Sequence, residues 1–331
     1  MMESKKTNAK GVLMVLAAAL LWSSNAPFVR WISLDAITVA GIRSTIAAIV
    51  LLPFLRPKQL RLNRYFFGFL ACFLAITFGI ILGLKTTSSA IAVGMQYTAC
   101  LWLFLLAKPK KENMHPRRAW PMLLVLMGAA VSMFSKAAGV TMLGNLIALS
   151  TSFSFAGMTW FAKKLDTENP VGLAAVANLV MGIVSLTIAR PAPAMLLQMP
   201  TAEILVLLYL GVFQIGVSYS LYYAGLRYTT AATAAMLCPL EMILGPVWTA
   251  IFLQEYPDAI GLIGFLAVTV GVLGEAFLSG KNADWAAAEN LSNCRRRSGF
   301  FAALRMTEEG SRLPRLLCHC EPHKRRGNPH P

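Results

Sequence analysis

The sequence predicts an all-α membrane protein in which ten transmembrane helices form two inverted five-helix repeats. Three observations lead there: the composition, the recurrence of apolar runs long enough to span a bilayer, and an internal echo at fixed distance. Of the 331 residues, 56% are apolar and 14% charged, whereas an ordinary soluble domain carries about 25% charged residues. The charges gather between apolar stretches that each approach the roughly 20 residues a helix needs to cross the hydrocarbon core.

Hydropathy places the first five helices at Gly11–Val29, Asp35–Leu55, Tyr65–Leu84, Thr86–Ala107 and Ala119–Ser135. The second five follow at Leu143–Ala162, Pro170–Ala189, Ala202–Leu226, Thr229–Leu253 and Pro257–Ser279. A helix in lipid satisfies its own backbone groups, so β-branched content does not argue against helical spans. The basic start MMESKKTNAK before the first apolar run is also how a secretory signal begins. The run is too long for a signal core and has no clear small-residue cleavage site, so it reads as an uncleaved first span.

The loops set the orientation, because cytoplasmic loops carry the excess of Lys and Arg. With the N-terminus inside, the cytoplasmic segments hold 15 bases and the outer segments hold four, Arg30, Lys85, Lys136 and Arg190. The loop after the ninth helix adds only the acids Glu255 and Asp258. An even number of spans returns the C-terminus to the cytoplasm, and the expected location is a bacterial inner (plasma) membrane.

The echo joins residues 83–92, GLKTTSSAIA, to residues 225–234, GLRYTTAATA, at an offset of 142 residues, with five of ten positions identical. A weaker echo sets Gly11–Trp22 against Gly144–Phe155. A unit of five spans is odd, so its second copy enters the membrane from the opposite side, as in many secondary transporters. The expected division is a cytoplasmic N-terminus at 1–10, repeats at 11–137 and 143–279, and a cytoplasmic tail at 280–331.

Several function classes drop out. The net charge of +15 sits in short loops and the tail, with no basic globular face for nucleic acid. All four histidines, His115, His319, His323 and His330, lie in a loop or the tail, so no catalytic constellation or metal site forms within the spans, and no cofactor is implied. No Walker loop is present, which argues against an ATP-driven pump. Cys72, Cys100 and Cys238 fall in apolar runs, where a thiol acts as a small hydrophobe.

Polar side chains are costly in hydrocarbon and normally face the bundle interior. Arg43 lies roughly 12 Å inward from the outer end of the second helix and Glu241 roughly 18 Å inward from that of the ninth, at 1.5 Å per residue. Three readings stand together: the pair holds the carboxylate and ammonium of a zwitterion, Glu241 titrates as a proton-coupling group, or the two form a structural ion pair. Gln214, Ser218 and Tyr222 recur at i, i+4 and i+8 and share one face of an α-helix. Their first-half counterparts, Cys72, Ile76 and Ile80, are apolar, which places the polar cavity wall in the second repeat. Trp22, Asn25, Gln96, Tyr97, Trp160 and Asn178 are further candidates for the lining. Pro239 and Pro246 are candidate helix breaks or gating points, and Pro239 has Tyr97 as its first-repeat counterpart.

The run Glu241-Met242-Ile243-Leu244-Gly245-Pro246-Val247-Trp248, followed by Glu255-Tyr256-Pro257, resembles the EamA-like ten-helix group of the drug/metabolite transporter superfamily. So do Trp22-Ser23-Ser24-Asn25 and the Arg43/Ala47 pair. The chain departs from the family pattern at Met242, where Pro is usual, and at Gln254, where Gly is usual. The resemblance implies a central cavity between the halves and transport of metabolites, often export of amino acids or related compounds. With Arg43 as the one base in the cavity, the expected cargo is a small neutral or zwitterionic metabolite moved by alternating access, with membrane lipids as the other partner. The competing readings are a non-transporting receptor or structural membrane protein and a nucleotide-sugar or sugar-phosphate carrier, which would need several bases in the cavity. The segment after Gly280 is polar, basic and Pro-containing, and is expected to be disordered.

Overall fold

The computed structural model describes residues 9–60, 62–106, 119–137, 139–165, 169–192, 198–225, 228 and 237–278. The tail and residues 1–8 lie outside the described residues, as do residues 229–236 of the expected ninth helix. The described chain is all helical, with no strand among the described residues. In order it forms α1 (Ala9–Ser23), α2 (Asn25–Trp31), α3 (Ala36–Leu51), α4 (Arg64–Thr86), α5 (Ser89–Tyr97), α6 (Ala99–Leu106) and α7 (Ala119–Ser132). It continues with α8 (Met142–Leu165), α9 (Pro170–Ala189), α10 (Thr201–Tyr209), a π-helical stretch at Leu210–Val217, α11 (Ser218–Gly225), α12 (Leu240–Leu253) and α13 (Ala259–Leu278).

Among the described residues, six helices are long and apolar enough to cross a membrane: Ala9–Trp31, Ala36–Phe54, Arg64–Thr86, Pro170–Ala189, Thr201–Tyr222 and Ala259–Leu278. Ser89–Leu103, Ala119–Ser132 and Leu240–Leu253 are apolar but shorter. The 24-residue α8 is long enough, but its apolar character is diluted by hydroxyl residues. Ser150, Thr151, Ser152, Ser154 and Thr159 each donate back to a carbonyl of their own helix, which keeps them satisfied in an apolar setting. Large apolar side chains such as Leu13, Ile49, Leu123, Ile183 and Ile263 are exposed on the outer surface, where lipid is the matching solvent.

Expected helices are interrupted at Ser24, at Thr98 and at Cys238–Pro239, and for the first two the reasons are local. The first breaks at Ser24 because the Pro27 ring cannot coexist with an undistorted carbonyl four residues earlier, at Ser23. The Ser23 and Ser24 hydroxyls fill the break by donating to Leu20 and Leu21 carbonyls, each at 2.7 Å. The fourth breaks at Thr98, whose hydroxyl donates to the Met95 carbonyl at 2.7 Å. Side-chain caps set the starts: Asp35 accepts from Ile37 and Thr38 N–H, Asn63 from Tyr65 and Phe66, and Asn169 from Gly172.

The halves pack reciprocally. α4, from the first half, lies along α8 of the second, and α11 lies along α1 in return. Gly83 approaches Ala148 across the first contact, and Gly225, its equivalent at the 142-residue offset, approaches Val15 across the other. Val15 and Ala148 themselves correspond in the weaker echo. Equivalent helices also meet one another: α3 with α9, where Gly182 lies against Thr45, α5 with α12, and α7 with α13, where Gly128 lies against the Gly264 carbonyl. Small residues allow these close approaches, and they replace the hydrophobic drive that lipid removes.

Two helix ends make testable statements. Gln254 ends α12 at φ 53°, in the left-handed region. That conformation favours glycine, the residue usual at this point of the EamA pattern, and disfavours a residue with Cβ. The Gln254 side chain compensates in part by donating to the Ile251 carbonyl and accepting from the Tyr256 hydroxyl. Gln254→Gly is expected to raise stability by about 1 kcal/mol, seen as a higher unfolding midpoint in detergent.

Asp258 caps α13 through Gly261 N–H at 3.0 Å and ties it to the end of α7 through the Ser135 hydroxyl at 2.5 Å and Lys136 N–H at 3.1 Å. The Ser135 hydrogen bond foremost, with the backbone donors, holds the Asp258 carboxyl below its ordinary value. Its contribution is therefore fully present above the ordinary carboxylate range and lost as pH falls through the lowered value. Asp258→Ala should cost about 1 kcal/mol at neutral pH, and the gap in unfolding midpoint between the two proteins should close in strong acid.

Candidate functional site

The break at Ser24 turns four consecutive residues toward different neighbours. Trp22 packs against Tyr219 and Tyr222, with ring centroids 5.4 and 5.2 Å apart. Ser23 accepts from Trp248 Nε1 at 3.0 Å, and Ser24 shares a 3.0 Å hydrogen bond with the Tyr209 hydroxyl. Asn25 stays within the first half and accepts from Arg43 Nη1 at 2.6 Å. The first half thus meets α10, α11 and α12 of the second at one turn of chain.

Glu241 opens α12, immediately after the break at Cys238 and Pro239. The Tyr97 hydroxyl, at the end of α5, lies 2.9 Å from Glu241 Oε2 and 3.1 Å from the Cys238 carbonyl. Pro239 and Tyr97, equivalent positions of the two repeats, therefore flank one contact. The Tyr222 hydroxyl hydrogen-bonds with the Cys238 thiol, and Tyr219 lies within electrostatic reach of both Glu241 and Arg43. Trp22, Tyr219, Tyr222, Cys238 and Glu241 are deep in the bundle, yet each keeps part of its surface uncovered.

A phenolic hydroxyl has one proton and can also accept. With Glu241 ionised, Tyr97 donates to the carboxylate. With Glu241 protonated, the carboxylic acid donates to Tyr97, whose own proton turns to the Cys238 carbonyl. The same three groups satisfy both protonation states without moving a helix.

The other sequence candidates separate. Arg43 is 5% exposed, bonded to Asn25, and its Nε has no partner. It makes no ion pair with Glu241, whose contact is Tyr97, so the structural ion pair is not what holds these helices together. Gln214 and Ser218 are both buried. The chain is π-helical at Leu210–Val217, which holds Gln214, and α-helical from Ser218, so Ser218 and Tyr222 keep their shared α-helical spacing. Ser218 donates to the Gln214 and Ile215 carbonyls, Gln214 Oε1 has no partner, and Tyr222, alone of the three, keeps part of its surface uncovered. Asn178 is buried on α9 and donates to the Ala174 carbonyl. Gln96, next to Tyr97, is partly covered. Trp160 is not brought to the site: it packs against Tyr65 and Phe161 near the end of α8, with Lys164 over its ring. Pro246 lies inside α12 and is buried, three residues past Ile243.

Sequence reasoning missed Tyr219 and the role of Cys238. Tyr219 follows the π-helical stretch, whose phase no periodicity reveals, and Cys238 was legible only as a small apolar residue. The Ser24 break was legible in Pro27.

One solved crystal structure superposes with a TM-score of 0.57, covering 81% of this chain and 97% of its own, at 16% sequence identity. At that identity the likeness speaks for the fold alone. No curated protein matches the chain. The EamA-like transporter family matches twice, over residues 9–134 and again over residues 142–275. The chain therefore belongs to the EamA-like transporter family, within the drug/metabolite transporter superfamily, and is a multi-pass membrane transporter.

Proposed function

We propose that this transporter moves a small neutral or zwitterionic metabolite, an amino acid or a related compound, outward across the bacterial inner membrane, and that Glu241 couples the movement to protons. The observation that carries the reading is the Tyr97, Glu241 and Cys238 contact, at 2.9 and 3.1 Å, which joins the repeats and accepts a proton without rearrangement. A carboxylate that must be neutralised before it crosses an apolar environment, and that borders an internal space, is a natural proton carrier. The aromatic faces of Trp22, Tyr219 and Tyr222 beside it suit an ammonium group. Among the described residues Arg43 is the one candidate base in the interior, and with its Nε unpartnered it offers a donor to a carboxylate. A sugar-phosphate or nucleotide-sugar cargo would require more positive charge than this.

In this reading the repeats at 11–137 and 143–279 rock about the central site, with both termini cytoplasmic. Counterflow of radiolabelled amino acids in proteoliposomes tests it. The wild-type protein is expected to exchange at least one of them in a pH-dependent manner. Glu241→Gln should lower that flux at least about a hundredfold, the effect typical of losing an essential proton-transfer group, at unchanged protein level. Tyr97→Phe should retain slower flux. Flux and pH dependence that survive Glu241→Gln would remove the carboxyl from the mechanism, and saturable binding without flux would point to a receptor.

A further inference from the structure

The charges expected merely to mark the outer loops converge. Arg30 ends α2, and its Nη1 donates to the Leu84 and Thr87 carbonyls at the end of α4, both at 2.5 Å. Its Nε meets Glu255 Oε2 at 2.5 Å, just beyond the end of α12. Beside it, Ser33 donates through its N–H and hydroxyl to the two oxygens of Glu203 at 3.3 and 3.0 Å, and Lys85 Nζ donates to the Ile32 carbonyl. The donors Arg30 and Ser33 belong to the first half and both carboxylates to the second. Arg30 and Glu255 keep 18% and 22% of their side-chain surface exposed, so water reaches the pair. Glu241 lies roughly 18 Å along α12 from this end, at 1.5 Å per residue, with the Trp248 to Ser23 hydrogen bond between.

We propose that Arg30 with Glu255, supported by Ser33 with Glu203, is a breakable clasp that closes this end of the chamber over Glu241. The inference rests on the transporter reading above. Two features distinguish a clasp from a permanent brace. When Glu255 leaves, Arg30 keeps two carbonyl acceptors at the negative end of the α4 dipole, so no charge is stranded. In the closed state Glu255 Oε1 is buried without a partner, and opening lets water satisfy it. Glu255 exchanges the ion pair for water while Arg30 retains its carbonyls, which keeps the closed and open arrangements close in free energy, as alternating access requires.

Cys238 is a native reporter inside the chamber. In full-length protein with Cys72, Cys100, Cys294, Cys318 and Cys320 replaced by Ser, a membrane-impermeant maleimide is added at either face and the labelling rate of Cys238 is followed. Glu255→Gln leaves Arg30 on its carbonyls and is expected to speed labelling from the Arg30 face about tenfold, with no gain from the opposite face. Arg190→Gln, an exposed cation outside the clasp, should change nothing. A Glu255→Gln rate equal to the parent's, or raised equally from both faces, overturns the clasp. Access is read without flux, so the two proposals fail separately. Indifference of labelling to Glu255 beside flux that needs Glu241 removes the clasp alone, and one-sided acceleration beside flux indifferent to Glu241 removes the coupling role alone.

Discussion

The contact between Tyr97 and Glu241 expresses the constraint on which the bundle is organised: a carboxyl placed deep among apolar helices must have a partner in either charge state. That partner comes from the other repeat. Tyr97 sits at the end of α5 because that helix breaks at Thr98, and Glu241 begins α12 because the chain breaks at Cys238 and Pro239. Two interruptions at related positions, one in each half, thus create one proton-accepting contact on the line between them. A continuous helix at either position would have withheld the Cys238 carbonyl or moved the hydroxyl away.

The packing of the halves is reciprocal, but their chemistry is not. Gly83 against Ala148 and Gly225 against Val15 repeat one close approach across the interface. The carboxyl, the thiol and two of the three lining aromatics come from the second repeat, while the first supplies Trp22, Tyr97 and the buried Arg43 held by Asn25. Donors and carboxylates at the Arg30 end divide between halves as well, so in the clasp proposed above separation of the repeats and opening of that end are one event. A duplicated scaffold provides the reciprocal packing, and unequal side chains give the site a chemistry that one repeat could not supply.

Much of this was legible in residues whose meaning is local. Apolar run length, loop charge and the 142-residue echo depend on composition and order, and they report the membrane class and the duplication directly. Arg43 and Glu241 stood out because charge within an apolar run is rare. What required the fold depends on phase or on partners. Burial of Gln214 and Ser218, and the contact of Tyr219 with Trp22, are visible only in the fold. Trp160, a plausible lining residue by type, packs instead at the end of α8. Arg30, Lys85 and Glu255 looked like ordinary flanking charges and Glu203 carried no signal of its own, since nothing in a linear sequence says that the ends of α2, α4, α10 and α12 meet.

The central claim is that Glu241 serves cargo movement rather than packing. Untargeted metabolite profiles, inside and outside cells that overproduce either the wild-type chain or Glu241→Gln, test it most directly. The wild-type protein should shift a small set of neutral or zwitterionic metabolites from the cells to the medium, and Glu241→Gln, at equal membrane abundance, should leave the profile at that of cells without overproduction. The same shift from both proteins would contradict the account.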